Sequence, residues 1–176
     1  AIKQLGFADM KEVALGADAV TAHESIEFIE RMENGDAYMT NSCCPGFFSF
    51  IEKMFPTEKD KISGTVSPMV AIGRYIKKYE PDAKVVFIGP CTAKKAEIKD
   101  PFVAQYVDNA MTFEELQALI DAREISVSEL SEDTYGDFGG SAFGRGFAKC
   151  GGLSSAVNEV LIETESDFVV KGVAVD

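Results

Sequence analysis

An unbroken run of β-branched and aromatic residues between positions 84 and 88 places the strongest constraint on the fold. A strand of this kind is typical of a parallel sheet in which helices cover both faces. Helical patterns alternate with short strand patterns along the rest of the chain, and this alternation favours a mostly parallel sheet flanked by helices. We therefore predict an α/β fold in which the run at 84–88 is a central strand.

The periodicity of apolar residues places the other elements. In the first helix, Val20, Ile26, Phe28 and Ile29 are expected to face the core. The stretch 124–145 is acidic and then glycine-rich, which predicts a long surface loop. Further strands are predicted at 11–15, 37–40 and 168–175, and helices at 17–32, 45–55, 68–78, 113–122 (with Thr112 as its N-cap) and 151–162.

The composition is that of an ordinary globular chain with an acidic surface. Residues 1–176 fit a single domain or a fragment of a larger one, and the first residue is Ala1. The net charge of −12 argues against nucleic acid or an anionic membrane as partner, because both attract cationic surfaces. The longest apolar runs are too short to span a membrane. We expect a cytoplasmic protein.

Two cysteine stretches carry the candidate chemistry. Cys43 and Cys44 precede Pro-Gly, and Cys91 follows Gly-Pro. Neighbouring cysteines form a disulfide with each other only under strain, because the bridge needs Cα atoms farther apart than a trans peptide allows. Metal ligation or thiol chemistry is therefore favoured. The single histidine, His23, excludes a histidine-rich metal site, and the lack of a C-x-x-C pair excludes a zinc ribbon.

Both cysteine stretches come directly after predicted strands. In a parallel sheet, functional residues gather at the carboxyl ends of the strands. We therefore expect Cys43, Cys44 and Cys91 to form a single site. Backbone N–H groups in tight turns can point at sulfur, an arrangement that iron–sulfur clusters use.

The two stretches resemble cysteine motifs of the catalytic domain of iron-only ([FeFe]) hydrogenases. The first motif usually reads Thr-Ser-Cys-Cys-Pro and stands here as Thr-Asn-Ser-Cys-Cys-Pro-Gly-Phe over 40–47. The second usually reads Met-Pro-Cys-x-x-Lys-x-x-Glu and stands here as Gly-Pro-Cys-Thr-Ala-Lys-Lys-Ala-Glu over 89–97. The resemblance extends over essentially the whole chain. The Gly-Pro-Cys variant and the passage at 148–152 are similar to the sensory branch of the family.

The resemblance implies a role for each residue that matches a cysteine motif. Cys44 and Cys91 would ligate a [4Fe-4S] cluster, and Cys43 would pass protons to the attached di-iron subcluster. Lys94 would donate a hydrogen bond to a cyanide ligand of the di-iron unit. The cluster and the subcluster together form the H-cluster that the family uses as its cofactor.

The resemblance also implies a proton relay through Glu24, Glu27 and Ser63. Glu24 and Glu27 lie three residues apart, so both can point to the same side of one helix. Apart from the resemblance, the same spacing favours a solvated helix face. Cys150 is either a surrogate cluster ligand or a structural cysteine.

The family's third motif, Met-x-Cys-x-x-Gly-Cys, which supplies the remaining cluster ligands, does not appear in the sequence. Either the chain is a fragment resembling the first lobe of the domain, or the protein lacks this part of the site. In both cases we expect the fragment alone to be inactive.

The implied function is reversible reduction of protons to hydrogen, or hydrogen sensing, in the complete protein. One alternative is a non-catalytic iron–sulfur cluster-binding or signalling module, and another is a thiol redox protein that uses Cys43 and Cys44. The implied partners are a ferredoxin-type electron carrier or a fused ferredoxin or sensor domain, together with hydrogenase maturation proteins. An exposed sheet edge or apolar face could also support a homodimer.

Overall fold

The computed structural model describes residues 1–132 and 139–172. The chain divides into two compact units. The larger unit consists of Val13–Ile72 and Gly140–Asp176, and the smaller unit consists of Ala1–Glu12 and Gly73–Gly139. None of the described helices is both long and apolar enough to cross a membrane.

Helices make up most of the regular structure. The α-helices are α1 (Ala14–Glu33), α2 (Pro45–Met54), α3 (Pro68–Tyr79), α4 (Lys94–Glu97), α5 (Phe113–Ala122), α6 (Ala142–Gly146) and α7 (Gly152–Glu163). The strands are β1 (Val86–Ile88) and β2 (Asn109–Met111). Short 3-10 helices lie at Ile2–Leu5, Pro56–Lys61, Val103–Gln105 and Val127–Glu129.

Strands β1 and β2 form a parallel pair in the smaller unit. Phe87 is in register with Ala110 at the centre of this pair. The predicted α/β fold with a parallel sheet is therefore confirmed, although the sheet of the described residues is small and the fold is rich in helices. Helix α5 begins after β2 with a capping box, in which the Thr112 hydroxyl accepts from the Glu115 N–H and the Glu115 carboxylate accepts from the Thr112 N–H.

In the larger unit, α1 packs against α6 and α7. Small residues allow the chain to come close to the start of α1: a Cβ atom added to Gly144 would lie 2.5 Å from the carbonyl oxygen of Ala14. Asp18 fixes the start of α6, because its carboxylate accepts from the Ser141 N–H at 2.8 Å and from the Ser141 hydroxyl at 2.6 Å. The buried apolar residues of this unit are Ala14, Ala17, Val20, Ile62, Met69, Val70, Ile72, Ala156, Val157 and Leu161.

Two predicted strands near the beginning of the chain are wrong. The stretch 11–15 runs into α1, which begins at Ala14, because this segment packs as a helix against the glycines near α6. The stretch 37–40 has a single parallel bridge, between Thr40 and Ile62. Residues 37–39 therefore belong to no β-ladder.

The predicted strand at 168–175 is also wrong over the part that the structure describes, and 173–175 lie outside the described residues. Residues 168–172 belong to no strand or helix. The side-chain amide of Asn158 replaces a strand partner, since it donates to the Val170 carbonyl at 2.8 Å and accepts from the Val170 N–H at 2.7 Å.

Two further expectations need correction. Ile26 is expected in the core but is 56% exposed, because it lies on the outer side of α1. The stretch 124–145 is expected to be a loop, but it contains a 3-10 turn at Val127–Glu129 and the start of α6. Residues 133–138 of this stretch lie outside the described residues.

Candidate functional site

Hydrogen bonds hold the segment before the cysteine pair alongside the turn at 61–65. The Thr40 N–H donates to the Lys61 carbonyl at 2.8 Å, and the Ser63 N–H donates to the Thr40 carbonyl at 2.7 Å. Farther along, the Ser42 hydroxyl donates to the Thr65 carbonyl. These contacts place the turn next to the segment that carries the cysteine pair.

Glu27 of α1 is surrounded by hydrogen-bond donors from this turn. Its carboxylate accepts from the Ser63 hydroxyl at 2.6 Å, from the Gly64 N–H at 3.0 Å and from the Thr65 hydroxyl at 3.3 Å. Arg31, one helical turn away, donates to it at 2.7 Å. Burial raises the pKa of Glu27, but the donors from Ser63, Gly64 and Arg31 outweigh it and hold the pKa below its ordinary value. Glu27 is therefore a carboxylate at neutral pH.

Arg31 connects Glu27 to the backbone of the turn. Its guanidinium donates to the carbonyl oxygens of Asp60 at 2.8 Å and Ile62 at 3.0 Å. The carboxylate of Asp36 lies 3.9 Å from the same guanidinium. Arg31 thus neutralises Glu27 and fixes the turn at the same time.

Glu24 has the opposite environment, although it lies on the same helix. The residue is 1% exposed, and its Oε1 atom has no hydrogen-bond partner among the described residues. Burial raises the pKa of Glu24 to about 7, and the Ser63 hydroxyl and the Ser42 N–H oppose this rise only in part. The charge on Glu27 contributes least to the shift. The carboxyl of Glu24 therefore holds its proton to a much higher pH than an ordinary glutamate does.

Glu24, Ser63 and Glu27 form a polar group that can hold and pass a proton. Two carboxyl groups whose environments push their pKa values apart are suited to act as acid and base. Ser63 interacts with both: its hydroxyl donates to Glu27 at 2.6 Å, and its contact with Glu24 lowers the pKa of that carboxyl. The structure thus brings together three of the residues predicted for the relay.

The cysteine pair lies in the same unit. Cys44 is the N-cap of α2, and its Sγ accepts from the Phe47 N–H at 3.4 Å. Pro45 occupies the first position of α2, as predicted. The Cys44 side chain is exposed, Cys43 is half-buried, and both are reduced thiols.

Cys91 and Lys94 lie in the smaller unit. Cys91 is a half-buried reduced thiol three residues after the end of β1. Lys94 begins α4, is 8% exposed, and forms an ion pair with Glu97 at 2.7 Å. The expectation that both cysteine stretches follow strands of one sheet is wrong, because Thr40 pairs with Ile62 rather than with β1 or β2. The convergence of Cys91 with the cysteine pair stays a prediction.

The donor set for an iron–sulfur cluster is not complete within the described residues. In residues 1–132 and 139–172, no three histidine, cysteine or acidic side chains are grouped closely enough to hold a metal ion. Cys150 is exposed and precedes Gly151, which has a positive φ of 70° at the start of α7. Cysteine thiolates nevertheless have the right donor chemistry for iron.

Several residues of this site were missed by the sequence analysis. Arg31 could have been found, since it lies four residues after Glu27 on one helix, a spacing typical of ion pairs. Gly64 and Thr65 act through the local shape of the turn, and Ser42 acts through a contact 23 residues away in sequence. No local pattern predicts such contacts.

Comparison with known proteins gives a consistent result. The family described as "Iron only hydrogenase large subunit, C-terminal domain" matches residues 1–174. Iron hydrogenase 1 of Clostridium pasteurianum is 31% identical over 181 residues, which cover 96% of this chain and 31% of that protein. A cytosolic Fe-S cluster assembly factor of Meyerozyma guilliermondii is 31% identical over 134 residues, covering 68% of this chain and 25% of that protein.

A solved structure shows the same fold. An apo [FeFe]-hydrogenase variant from Chlamydomonas reinhardtii aligns with a TM-score of 0.71 and 27% sequence identity, covering 90% of this chain and 45% of that one. The present chain therefore spans less than half the length of these hydrogenases. Sequence and fold agree that the chain belongs to the iron-only hydrogenase family, and within it to the C-terminal domain of the large subunit.

Proposed function

We propose that this chain supplies a proton relay and two cluster ligands to an [FeFe]-hydrogenase, which reversibly reduces protons to hydrogen or senses hydrogen. The observation that carries this proposal is the buried carboxyl of Glu24, whose Oε1 atom has no partner among the described residues, beside Ser63 and Glu27. A buried carboxyl with a pKa near 7 is costly for stability and is typical of a functional site.

The proton would move along side chains of the larger unit. Glu27 is partly exposed and would exchange protons with solvent, while Arg31 would hold its carboxylate in place. The Ser63 hydroxyl would then pass a proton between Glu27 and Glu24, accepting on one side and donating on the other. Glu24 would in turn exchange with the thiol of Cys43, which is the chain's last proton carrier in this proposal.

Cys44 and Cys91 are the proposed ligands of a [4Fe-4S] cluster, and Lys94 would hold an anionic ligand of the di-iron subcluster. When bound, the cluster would supply the electrons for hydrogen chemistry. Because the described residues form no complete donor set, the remaining ligands would come from the family's third motif, in a segment outside this sequence. Residues 1–176 would then be part of one domain.

The second motif supports an assignment to the sensory branch. Gly89 stands where the family usually has methionine, and it is buried. A Cβ atom added there would lie 2.7 Å from the ring of Phe87, so a larger residue would require that ring to move. The local packing is therefore adapted to glycine.

The proposal also covers the partners of the protein and its location in the cell. A ferredoxin-type electron carrier or a fused ferredoxin or sensor domain would deliver electrons, and maturation proteins would install the cluster. The negative net charge and the lack of a membrane-spanning helix among the described residues are compatible with the proposed cytoplasmic location.

Hydrogen evolution tests the relay. Full-length protein, matured anaerobically, is assayed with reduced methyl viologen as the electron donor. Glu24→Gln should lower the rate by about 10²- to 10⁴-fold, because an amide cannot pass a proton between Ser63 and Cys43. Glu30→Gln, on the exposed side of the same helix, is the matched control and should keep the full rate. Equal rates for the two variants would contradict the relay.

A non-catalytic iron–sulfur module is the second candidate function. The relative that is named an Fe-S cluster assembly factor favours it. The two functions are separated by spectroscopy of the anaerobically matured protein. An iron–sulfur EPR signal without carbonyl and cyanide infrared bands would support the non-catalytic module, whereas the presence of those bands would support the hydrogenase.

A further inference from the structure

We propose that Ser42, together with Thr65, is a positioning clasp that fixes Glu24 and Glu27 on either side of Ser63. This inference rests on the proposed relay and deepens it. The two clasp residues touch both carboxyl groups and the hydroxyl between them. Neither residue needs to carry a proton itself.

Ser42 forms the side of the clasp that faces Glu24. Its hydroxyl donates to the Thr65 carbonyl, and its backbone N–H faces the carboxyl of Glu24. Its two donors therefore point to the turn and to the buried acid. Since Ser42 directly precedes Cys43, the same contacts also hold the start of the cysteine pair against the relay.

Thr65 forms the side that faces Glu27. Its N–H donates to the Ser63 hydroxyl oxygen at 3.1 Å, and its own hydroxyl donates to Glu27 Oε2 at 3.3 Å. The Ser63 hydrogen then points to that same carboxylate oxygen, at 2.6 Å. Thr65 therefore sets both the rotation of the Ser63 hydroxyl and the position of the carboxylate that receives its hydrogen.

Side chains must hold the turn at 63–65 to the cysteine segment, because the backbone pairing between the two ends before Ser42. The parallel bridge joins Thr40 and Ile62, and its last backbone hydrogen bond runs from the Ser63 N–H to Thr40. Beyond that point, the Ser42–Thr65 contact holds the turn at 63–65 to the cysteine segment. Without it, the Ser42 N–H can move away from Glu24, and the Ser63 hydroxyl can rotate.

The clasp can be tested by the titration of Glu24 in the full-length protein. The infrared carbonyl band of its protonated carboxyl is identified by its loss in Glu24→Gln and followed from pH 5 to pH 9. Ser42→Ala removes the hydroxyl but keeps the N–H, so the N–H is no longer held in place. The pKa of Glu24 should then rise by about half a pH unit or more, because its carboxylate loses a donor.

Two matched variants complete the design. Ser42→Thr keeps the hydroxyl and should restore the wild-type titration, whereas Ser155→Ala, at an exposed serine of the same unit, should leave it unchanged. Hydrogen evolution should fall about tenfold in Ser42→Ala and recover in Ser42→Thr. A simple loss of stability would lower the rate of hydrogen evolution but would not change the pH at which the Glu24 band titrates.

An unchanged Glu24 titration in a folded Ser42→Ala protein would overturn the clasp. If that variant does not fold, Thr65→Val is used, which removes one donor from Glu27 while keeping the Thr65 N–H and carbonyl. The pKa of Glu27 should then rise, and an unchanged value overturns the clasp. Failure of the relay would give a different result. Glu24→Gln would then keep full hydrogen evolution, whatever effect Ser42→Ala has on the titration of Glu24.

Discussion

Replacing Glu24 with glutamine should remove a pH-dependent cost to stability. Burial is the largest cause that raises the pKa of Glu24, from an ordinary value of 4.5 to about 7. Between these two values, the unfolded chain has lost the proton whereas the folded chain still holds it. Because the folded chain binds more protons in this window, the free energy of unfolding falls as the pH rises through it.

The size of the effect follows from the two pKa values. Their difference corresponds to a cost of about 3 kcal/mol at pH 8, where the folded chain has also ionised, and close to zero at pH 4. Glutamine has nearly the same shape as glutamate but does not titrate. The stability of Glu24→Gln relative to wild type should therefore increase by about 3 kcal/mol between pH 4 and pH 8.

Urea unfolding followed by circular dichroism at several pH values measures this difference. Glu30→Gln is the control, because Glu30 is exposed on the same helix and should show no such trend. Any constant gain or loss from the amide itself shifts the whole curve and leaves its slope intact. A difference between Glu24→Gln and wild type that does not change with pH would refute the claim that folding raises the pKa of Glu24.

Three other substitutions test the contacts around the site and the core. Arg31→Gln should lower the free energy of unfolding by about 1.5–3 kcal/mol at pH 7, as measured in urea titrations. The loss should be smaller at pH 3, because the carboxylate form of Glu27 contributes stability only above its folded pKa. Gly144→Ala should cost about 1–3 kcal/mol and lower the Tm, because the added Cβ meets backbone at 2.5 Å, whereas Gly146→Ala has no neighbour within 4 Å and should keep the Tm. Thr112→Val should cost about 1 kcal/mol in the same measurement through loss of the N-cap, and Thr112→Ser should keep the wild-type stability.

Local signals were sufficient to place several helices. Thr112 begins α5, Pro45 begins α2 and Pro68 begins α3, each as predicted. A capping side chain or a proline fixes the first turn through contacts within a few residues, so the sequence contains the needed information. Among them, α2 has the candidate ligand Cys44 as its N-cap.

Elements that depend on distant contacts could not be predicted in the same way. The segment 11–15 joins α1 because Ala14 packs under glycines more than 120 residues later. The segment 168–172 pairs with the amide of Asn158 instead of a strand. In both cases a short apolar run is compatible with helix or strand, and only tertiary packing decides between them.

The candidate site shows the same limit. The spacing of Glu24 and Glu27 predicts a shared helix face, but it does not predict that one carboxyl is buried with an unpartnered oxygen and the other is surrounded by donors. The turn at 63–65 contributes to this difference, because the Ser63 hydroxyl, the Gly64 N–H and the Thr65 hydroxyl all donate to Glu27. The charges of the two residues are alike, and the deeper burial of Glu24, together with the larger number of donors at Glu27, separates their pKa values.

This distribution of donors gives the proposed relay a direction. A proton on Glu27 would have to displace hydrogen bonds from Ser63, Gly64 and Arg31, whereas a proton on Glu24 displaces little, because Oε1 has no partner among the described residues. Arg31 also neutralises Glu27, so the negative charge of Glu27 does little to oppose ionisation of Glu24. A single proton shared by the two carboxyl groups is therefore held on Glu24 rather than on Glu27. Inward transfer from Glu27 to Glu24 is favourable, and outward transfer requires the turn or Arg31 to release the carboxylate first.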